Sequence, residues 1–132
     1  MKALASSITR TLEPGTKLTV ADNSGAKELK IIGVKATKGT RQRRTNAGVS
    51  DTVLVRITKG SQEVKGEVYK AVIIRQRKEY QRLKGLRISF EDNAAVLLEE
   101  SDAPKGNRIK GVVAKEVVER HAQIGKIASM VV

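Results

Sequence analysis

Residues 68–90 read VYKAVIIRQRKEYQRLKGLRISF, and this stretch decides the fold class. Its first part, Val68 to Arg75, is the most β-prone segment of the chain because β-branched residues dominate it. The continuation from Arg75 to Arg82 has a composition compatible with extended backbone and almost no apolar side chain to bury. It therefore predicts an arm that projects from the fold. Gly85 lets the chain reverse, and Leu86 to Phe90 would return alongside. The stretch therefore predicts a strand that continues into a projecting β-ribbon.

Other short strands follow the same logic on both sides of this stretch. Thr16 to Val20 alternates apolar and polar residues, and Glu28 to Thr37 is rich in aliphatic residues. Asp51 to Thr58 alternates cleanly and predicts a half-buried strand, and Ala94 to Glu99 predicts the last strand of the sheet. Several short strands separated by glycines favour a mainly β fold built as a small closed barrel.

The C-terminal region has a different pattern. Val113, Ala114, Val117 and Val118 recur with helical spacing, which predicts a short helix. On that helix the polar residues should face away from the core; they are Lys115, Glu116, Glu119 and Arg120.

A chain of 132 residues is expected to form a single domain. We divide it into a leader at 1–15, a barrel at 16–100 that includes the ribbon at about 75–91, and a C-terminal loop with short helices at 101–132. The start lacks the apolar run of a secretory signal, and no aliphatic run approaches the roughly 20 residues of a membrane span. We therefore expect a soluble, cytoplasmic protein without a membrane partner.

A formal charge of +12 makes polyanions the first candidate partners. Two windows hold most of this charge, and each is nearly free of acids. The loop window contains Lys35, Lys38, Arg41, Arg43 and Arg44, and the ribbon window contains Arg75, Arg77, Lys78, Arg82, Lys84 and Arg87. Within these two windows arginine outnumbers lysine, which favours bidentate contacts with phosphate. Five acids gather between Glu91 and Asp102, so we expect the charge to be segregated on the surface.

The residues that enzymes use are largely missing. The chain has no cysteine and one histidine, His121, which we interpret as a surface or helix-end residue. Neither common glycine-rich phosphate-binding motif occurs. Ser24 is better explained by a structural turn, Asp22-Asn23-Ser24-Gly25, than by nucleophilic chemistry. We expect no catalytic residue, no metal and no cofactor.

Three hypotheses about function remain. The first is a protein that reads the backbone of structured RNA with Arg and Lys. The second is a free-standing barrel that binds single-stranded nucleic acid, for which Tyr69, Tyr80 and Phe90 would have to be the stacking platforms. The third is a hydrolase or nuclease, for which the aspartates at 22, 51 and 92 would have to converge on a metal.

Three segments of the chain closely resemble the large-subunit ribosomal protein fourteen family in its archaeal form. They are LTVADNSGAK at 18–27, AVIIR through FEDNAAVL at 71–97, and RIKG followed by VAKE at 108–116. The match covers most of the chain from Leu18 to Val132. Departures from the family pattern are Leu83-Lys84-Gly85 at the ribbon tip, where Pro-Asp-Gly is common, Asn107 in place of Thr, and Val112 in place of Pro.

The resemblance implies a five-stranded barrel with a projecting ribbon and short C-terminal helices, bound to large-subunit (23S) rRNA. It also implies an intersubunit bridge to small-subunit (16S) rRNA, contacts with ribosomal proteins including protein three of the large subunit, and a surface for an anti-association factor. The ribbon and loop cations would bind rRNA. The segment nearest the subunit interface would hold Lys105, Arg108 and Lys110.

Overall fold

The computed structural model describes residues 6–35 and 45–132, and the side chain of Lys84 is left out of the description. Nine strands and two helices make up this part of the chain. The strands are β1 Lys17–Val20, β2 Ala26–Val34, β3 Thr52–Gly60, β4 Val68–Arg75, β5 Tyr80–Gln81, β6 Arg87–Ile88, β7 Ala94–Leu98, β8 Val112–Val113 and β9 Met130–Val131. The helices are α1 Lys115–Arg120 and α2 Ala122–Ile127.

Five strands close into a barrel in the order β1-β2-β3-β4-β7. The neighbours are antiparallel except for β1 and β7, whose parallel pairing closes the barrel. Closure leaves no unpaired strand edge in this sheet. The prediction of a mainly β fold with a five-stranded closed barrel and short C-terminal helices is confirmed.

The interior of the barrel is aliphatic and follows the alternation of the strands. Val53, Val55 and Ile57 of β3 are buried as predicted, and they pack with side chains such as Leu29 and Leu97. β2 begins at Ala26, two residues earlier than predicted.

A second apolar cluster lies on the other face of β4 and β7. Val72, Ile74 and Val96 pack there against Val117 of α1 and Ile124 of α2. The C-terminal helices therefore cover two strands of the barrel, and β4 and β7 are buried on both faces.

The prediction of a helix from Val113 is wrong about the residue at which the helix begins and about which residues face solvent. Val113 lies in β8, which pairs in parallel with β9, and Ala114 is the residue before α1. Glu116, predicted to face away, is buried with 1% of its surface exposed. Backbone pairing with the C-terminal residues holds 113 and 114 in extended conformation. The helix therefore begins only at Lys115.

The ribbon forms as predicted but is shorter and better anchored. Only Tyr80 and Gln81 of β5 pair with Arg87 and Ile88 of β6, and a short 3₁₀ turn at Leu83–Gly85 connects them. Gly85 has a φ of 75°, a left-handed conformation that favours glycine. The prediction that the arm has almost nothing to bury is wrong, because Gln76 and Tyr80 are both buried.

Candidate nucleic-acid interface

The base of the ribbon is fixed by the buried amide of Gln76. Its Oε1 accepts a hydrogen bond from the backbone N–H of Val49 at 2.9 Å. Its Nε2 donates to the carbonyl oxygens of Thr9 and Lys78, both at 2.9 Å. One side chain thus joins the ribbon to two distant segments, and the direction in which the ribbon leaves the barrel is set.

Arg75, at the start of the ribbon window, is turned inward. Its guanidinium donates to both carboxylate oxygens of Asp92, with Nε 2.9 Å from Oδ1, and to the carbonyl oxygens of Lys110 and Val112. Gly111 lies against this guanidinium, where a Cβ atom would collide with it. Only 11% of the Arg75 side chain is exposed, so most of its donors are already used.

Arg82 is held in a buried charge cluster with Tyr80 and Glu116. Its Nε donates to Glu116 Oε1 at 2.8 Å, and one terminal nitrogen donates to the carbonyl oxygen of Val132 at 2.7 Å. The Tyr80 hydroxyl donates to the same carboxylate at 3.0 Å. Burial and the charge of Glu116 raise the pKa of Tyr80 well above its usual value, so the phenol stays protonated and remains a donor. This cluster attaches the ribbon to α1.

Arg77, Lys78 and Arg87, three other basic residues of the ribbon, face solvent. Arg77 donates to the carbonyl oxygen of Glu91, and Arg87 forms an exposed ion pair with Glu79 at 3.2 Å. Within the described ranges Lys78 has no side-chain partner. These three cations retain donors that can reach a ligand.

Little of the loop window can be placed. Lys35 is exposed directly after β2, where it lines a depression with Tyr69 and Lys105. The other members of the window, Lys38, Arg41, Arg43 and Arg44, lie outside the described residues.

The C-terminal segment exposes Arg108 and Lys110 on either side of the buried Ile109. The backbone N–H of Lys110 donates to the carbonyl oxygen of Ala21 at 2.6 Å. Lys105, nearby in sequence, places its ammonium 4.8 Å from the centre of the Tyr69 ring. The segment is therefore fixed to the barrel, with Arg108 and Lys110 exposed and Lys105 packed over the Tyr69 ring.

The turn at residues 22–25 also holds this segment. The buried Asp22 accepts hydrogen bonds from the backbone N–H and hydroxyl of Ser24, and from the backbone N–H of Leu97. The Asn23 side-chain amide donates to Asn107 Oδ1 at 2.6 Å, and Asn23 Oδ1 accepts from the backbone N–H of Asn107 at 3.0 Å. The side-chain oxygen of Asn107, the departure from the family pattern at this position, is thus engaged by Asn23.

Two residues important to this arrangement were missed in the sequence. Gln76 stands in a run of charged residues and gives no local sign of burial. Glu116 has the helical spacing of a solvent-facing residue, and only the ribbon packed against α1 shows its role.

Comparison with known proteins identifies the family of the chain. A sequence model described as ribosomal protein L14p/L23e matches residues 11–132. The chain belongs to the ribosomal protein L14p/L23e family. The large ribosomal subunit protein uL14 of Halorubrum lacusprofundi is 47% identical to it over 132 residues, 100% of both chains. The uL14 proteins of Haloarcula marismortui and Methanocella arvoryzae are each 44% identical over the same full length.

The predicted resemblance to the archaeal form is confirmed, since these relatives are archaeal proteins. As a member of the L14p/L23e family, the chain is a structural constituent of the large ribosomal subunit and is located on the ribosome in the cytoplasm. It is not an enzyme, because the family consists of structural ribosomal proteins.

The geometry agrees better with this family assignment than with the two alternative hypotheses, a barrel that binds single-stranded nucleic acid and a hydrolase or nuclease. Tyr80 is buried, and Tyr69 and Phe90 are partly buried, so the aromatic residues do not form an exposed stacking platform. Asp51 and Asp92 are engaged by arginines, and Asp22 by its own turn. Within residues 6–35 and 45–132, no group of three acids, histidines or cysteines could hold a metal ion.

In the same ranges no helix has the length and apolar character needed to cross a bilayer.

Proposed function

We propose that this L14p/L23e protein binds large-subunit (23S) rRNA through the cations of its ribbon and loop. The observation that carries the proposal is the set of exposed ribbon cations that keep free donors while their neighbours lock the ribbon in place. Direct contacts are assigned to Lys35, Lys38, Arg41, Arg43, Arg44, Arg77, Lys78, Lys84 and Arg87. Each neutralised phosphate releases counterions, so binding should weaken steeply with salt.

Arg75 and Arg82 contribute to this binding indirectly in the proposal. Their guanidinium groups are engaged by Asp92 and Glu116, and both side chains are largely buried. A ribbon that is already fixed loses little conformational entropy when it meets RNA, so fixing it increases affinity. The two arginines position the exposed cations of the ribbon.

The second part of the proposal concerns the subunit interface. Lys105, Arg108 and Lys110 contact small-subunit (16S) rRNA in an intersubunit bridge, and the same side of the protein offers a surface to an anti-association factor. Neighbouring ribosomal proteins, including protein three of the large subunit, are further partners. The outward cations of a segment fixed by Asn107 and Ile109 support this assignment.

A salt titration tests the first part. The double variant Arg77→Gln/Lys78→Gln should bind protein-free large-subunit rRNA from archaeal ribosomes with a slope of log affinity against log salt lowered by about 2, roughly 1 per lost cation. Lys115→Gln/Lys126→Gln removes two exposed lysines on the C-terminal helices and is the matched control. Equal slopes for the two double variants would reject the ribbon as a contact surface.

The interface assignment is tested by subunit joining. Large subunits that carry Arg108→Gln/Lys110→Gln should assemble normally but associate more weakly with small subunits, as measured by light scattering. Normal association of these subunits would reject the bridge, and failure of the variant to enter large subunits would instead place the two residues against 23S rRNA.

A further inference from the structure

A row of three cations crosses the outer face of strands β1, β2 and β3. Lys17 of β1 is the register partner of Lys30 of β2, and Lys30 is in turn the register partner of Arg56 of β3. All three residues are exposed. None belongs to the ribbon, the loop or the C-terminal segment described above.

This arrangement is unfavourable for the isolated barrel. Directly opposite residues on antiparallel strands have Cβ atoms roughly 4.5–5.5 Å apart, and like charges at such positions destabilise the sheet. The apolar residues of the same strands, such as Leu29 and Ile57, already form the barrel core. The fold therefore gains nothing from placing three cations side by side.

Neighbouring side chains do not neutralise the row. Within the described ranges, Lys30 and Arg56 have no ion pair and no side-chain hydrogen bond, and the same holds for Lys65 in the turn after β3. Lys17 lies 3.9 Å from a carboxylate oxygen of Glu28, and that carboxylate also faces Lys59 at 3.8 Å. One acid is thus shared by two lysines at the end of the row.

Two unpartnered cations of the row and Lys65 of the neighbouring turn surround a surface depression. Lys30, Arg56 and Lys65 line a volume of about 320 Å³ together with Ile57, Thr58 and Gly66, and no acid contributes to its wall. Three cations around one shallow space give a local positive potential that an anion would neutralise.

We infer that Lys17, Lys30, Arg56 and Lys65 form a second phosphate-binding surface for the backbone of structured rRNA. Neighbouring strands are roughly 4.8 Å apart, so the row presents positive charges at a close, regular spacing over roughly 10 Å. A nucleic-acid backbone carries negative charges at short, regular intervals along a line. The surface has no aromatic residue on which bases could stack, which favours contact with the backbone. The identity of the ligand as RNA rests on the proposed function.

The test is a salt titration of the full chain with protein-free large-subunit rRNA as the probe. Lys30→Gln/Arg56→Gln removes the centre of the row, and Lys115→Gln/Lys126→Gln is the control with the same change in net charge. We expect the row variant to lose roughly tenfold or more in affinity at about 0.1 M salt, and its salt slope to fall by roughly 1.5–2. The thermal unfolding midpoint should stay equal or rise, which separates lost binding from lost folding.

Three other outcomes are distinct. If the wild-type chain and the control bind rRNA and the row variant binds as they do, the second surface is rejected while the ribbon proposal stands. If the wild-type chain itself ignores rRNA, the proposed function is rejected together with this inference. If the row variant loses affinity for polyglutamate but keeps full affinity for rRNA, the row binds an acidic protein segment and the RNA assignment is overturned.

Discussion

Two basic regions of this protein use the same types of side chain for opposite purposes. They are the root of the ribbon, at Arg75 and Arg82, and the outer face of β1 to β3. At the ribbon root, Arg75 and Arg82 meet carboxylates and carbonyl oxygens in largely buried surroundings. On the outer face, Lys30 and Arg56 stand opposite each other in solvent, and neither meets an acceptor in the part of the chain that the structure describes. The first arrangement stabilises the fold, and the second is suited to a ligand that brings its own negative charge.

The difference depends on residues that are distant in sequence. Glu116 lies 34 residues after Arg82, and Asp92 lies 17 residues after Arg75. An arginine becomes structural when folding brings an acceptor to it, and it remains available when folding brings another cation. A basic window in the sequence therefore contains both structural arginines and arginines that remain available to a ligand.

The largest effect is expected from removing the acceptor at the ribbon root. Glu116→Ala leaves the Arg82 guanidinium and the Tyr80 hydroxyl without their shared partner in a mostly buried position. Breaking one side of a buried ion pair costs about 3–5 kcal/mol, and we expect the free energy of unfolding in urea at neutral pH to fall by that amount.

Glu119→Ala is the control, because Glu119 is exposed on the same helix and should change stability by less than about 0.5 kcal/mol. Glu116→Gln keeps one acceptor oxygen and should fall between the two. If Glu116→Ala costs no more than Glu119→Ala, water replaces the carboxylate and the ribbon root is not stabilised by charge.

A smaller effect tests whether the two uses of arginine can be separated within the ribbon window. Arg75→Met removes four hydrogen bonds but keeps the aliphatic part of the side chain, and it should cost about 2–3 kcal/mol of stability. Its rRNA-binding salt slope should be unchanged. Lys78→Met should do the reverse, with stability within about 0.5 kcal/mol and a slope lowered by about 1. A lowered slope for Arg75→Met without loss of stability would make Arg75 a direct phosphate contact.

The fold could be predicted because its signals are local. Val53, Val55 and Ile57 alternate with polar residues, and this pattern alone decides which face of β3 is buried. Gly85 is likewise a local signal, because it marks the point at which the ribbon reverses. Such features need no knowledge of which segment packs nearby.

The missed features all depend on contacts between segments. Gln76 and Tyr80 are buried because the leader and α1 cover them, and neither contact leaves a trace in the ribbon sequence. The periodicity of α1 placed Glu116 outside, since a helix of six residues has too few turns to define a face reliably.

The cation row was missed for a related reason. Alternation predicts that Arg56 faces solvent, but its position beside Lys30 follows from the register of β2 against β3. That register is shifted by irregularities on both sides of the pair, between Glu28 and Leu29 and between Ile31 and Gly33. Counting residues along each strand therefore cannot place two cations side by side.

The smallest effect is also the most direct probe of the unpaired region, because it requires no RNA. Lys30→Thr removes the central charge of the row and introduces a residue favoured in strands, so the free energy of unfolding should rise by about 0.2–1 kcal/mol at low salt. The Debye length falls from about 30 Å at 0.01 M to about 3 Å at 1 M salt, so the gain that comes from repulsion should disappear at about 1 M. Lys27→Thr is the matched control, because Lys27 is exposed on the same strand and has no register partner. Its effect on stability should depend little on salt. If both variants respond to salt alike, the cations of the row do not repel one another, and the contrast with the ribbon root is one of exposure alone.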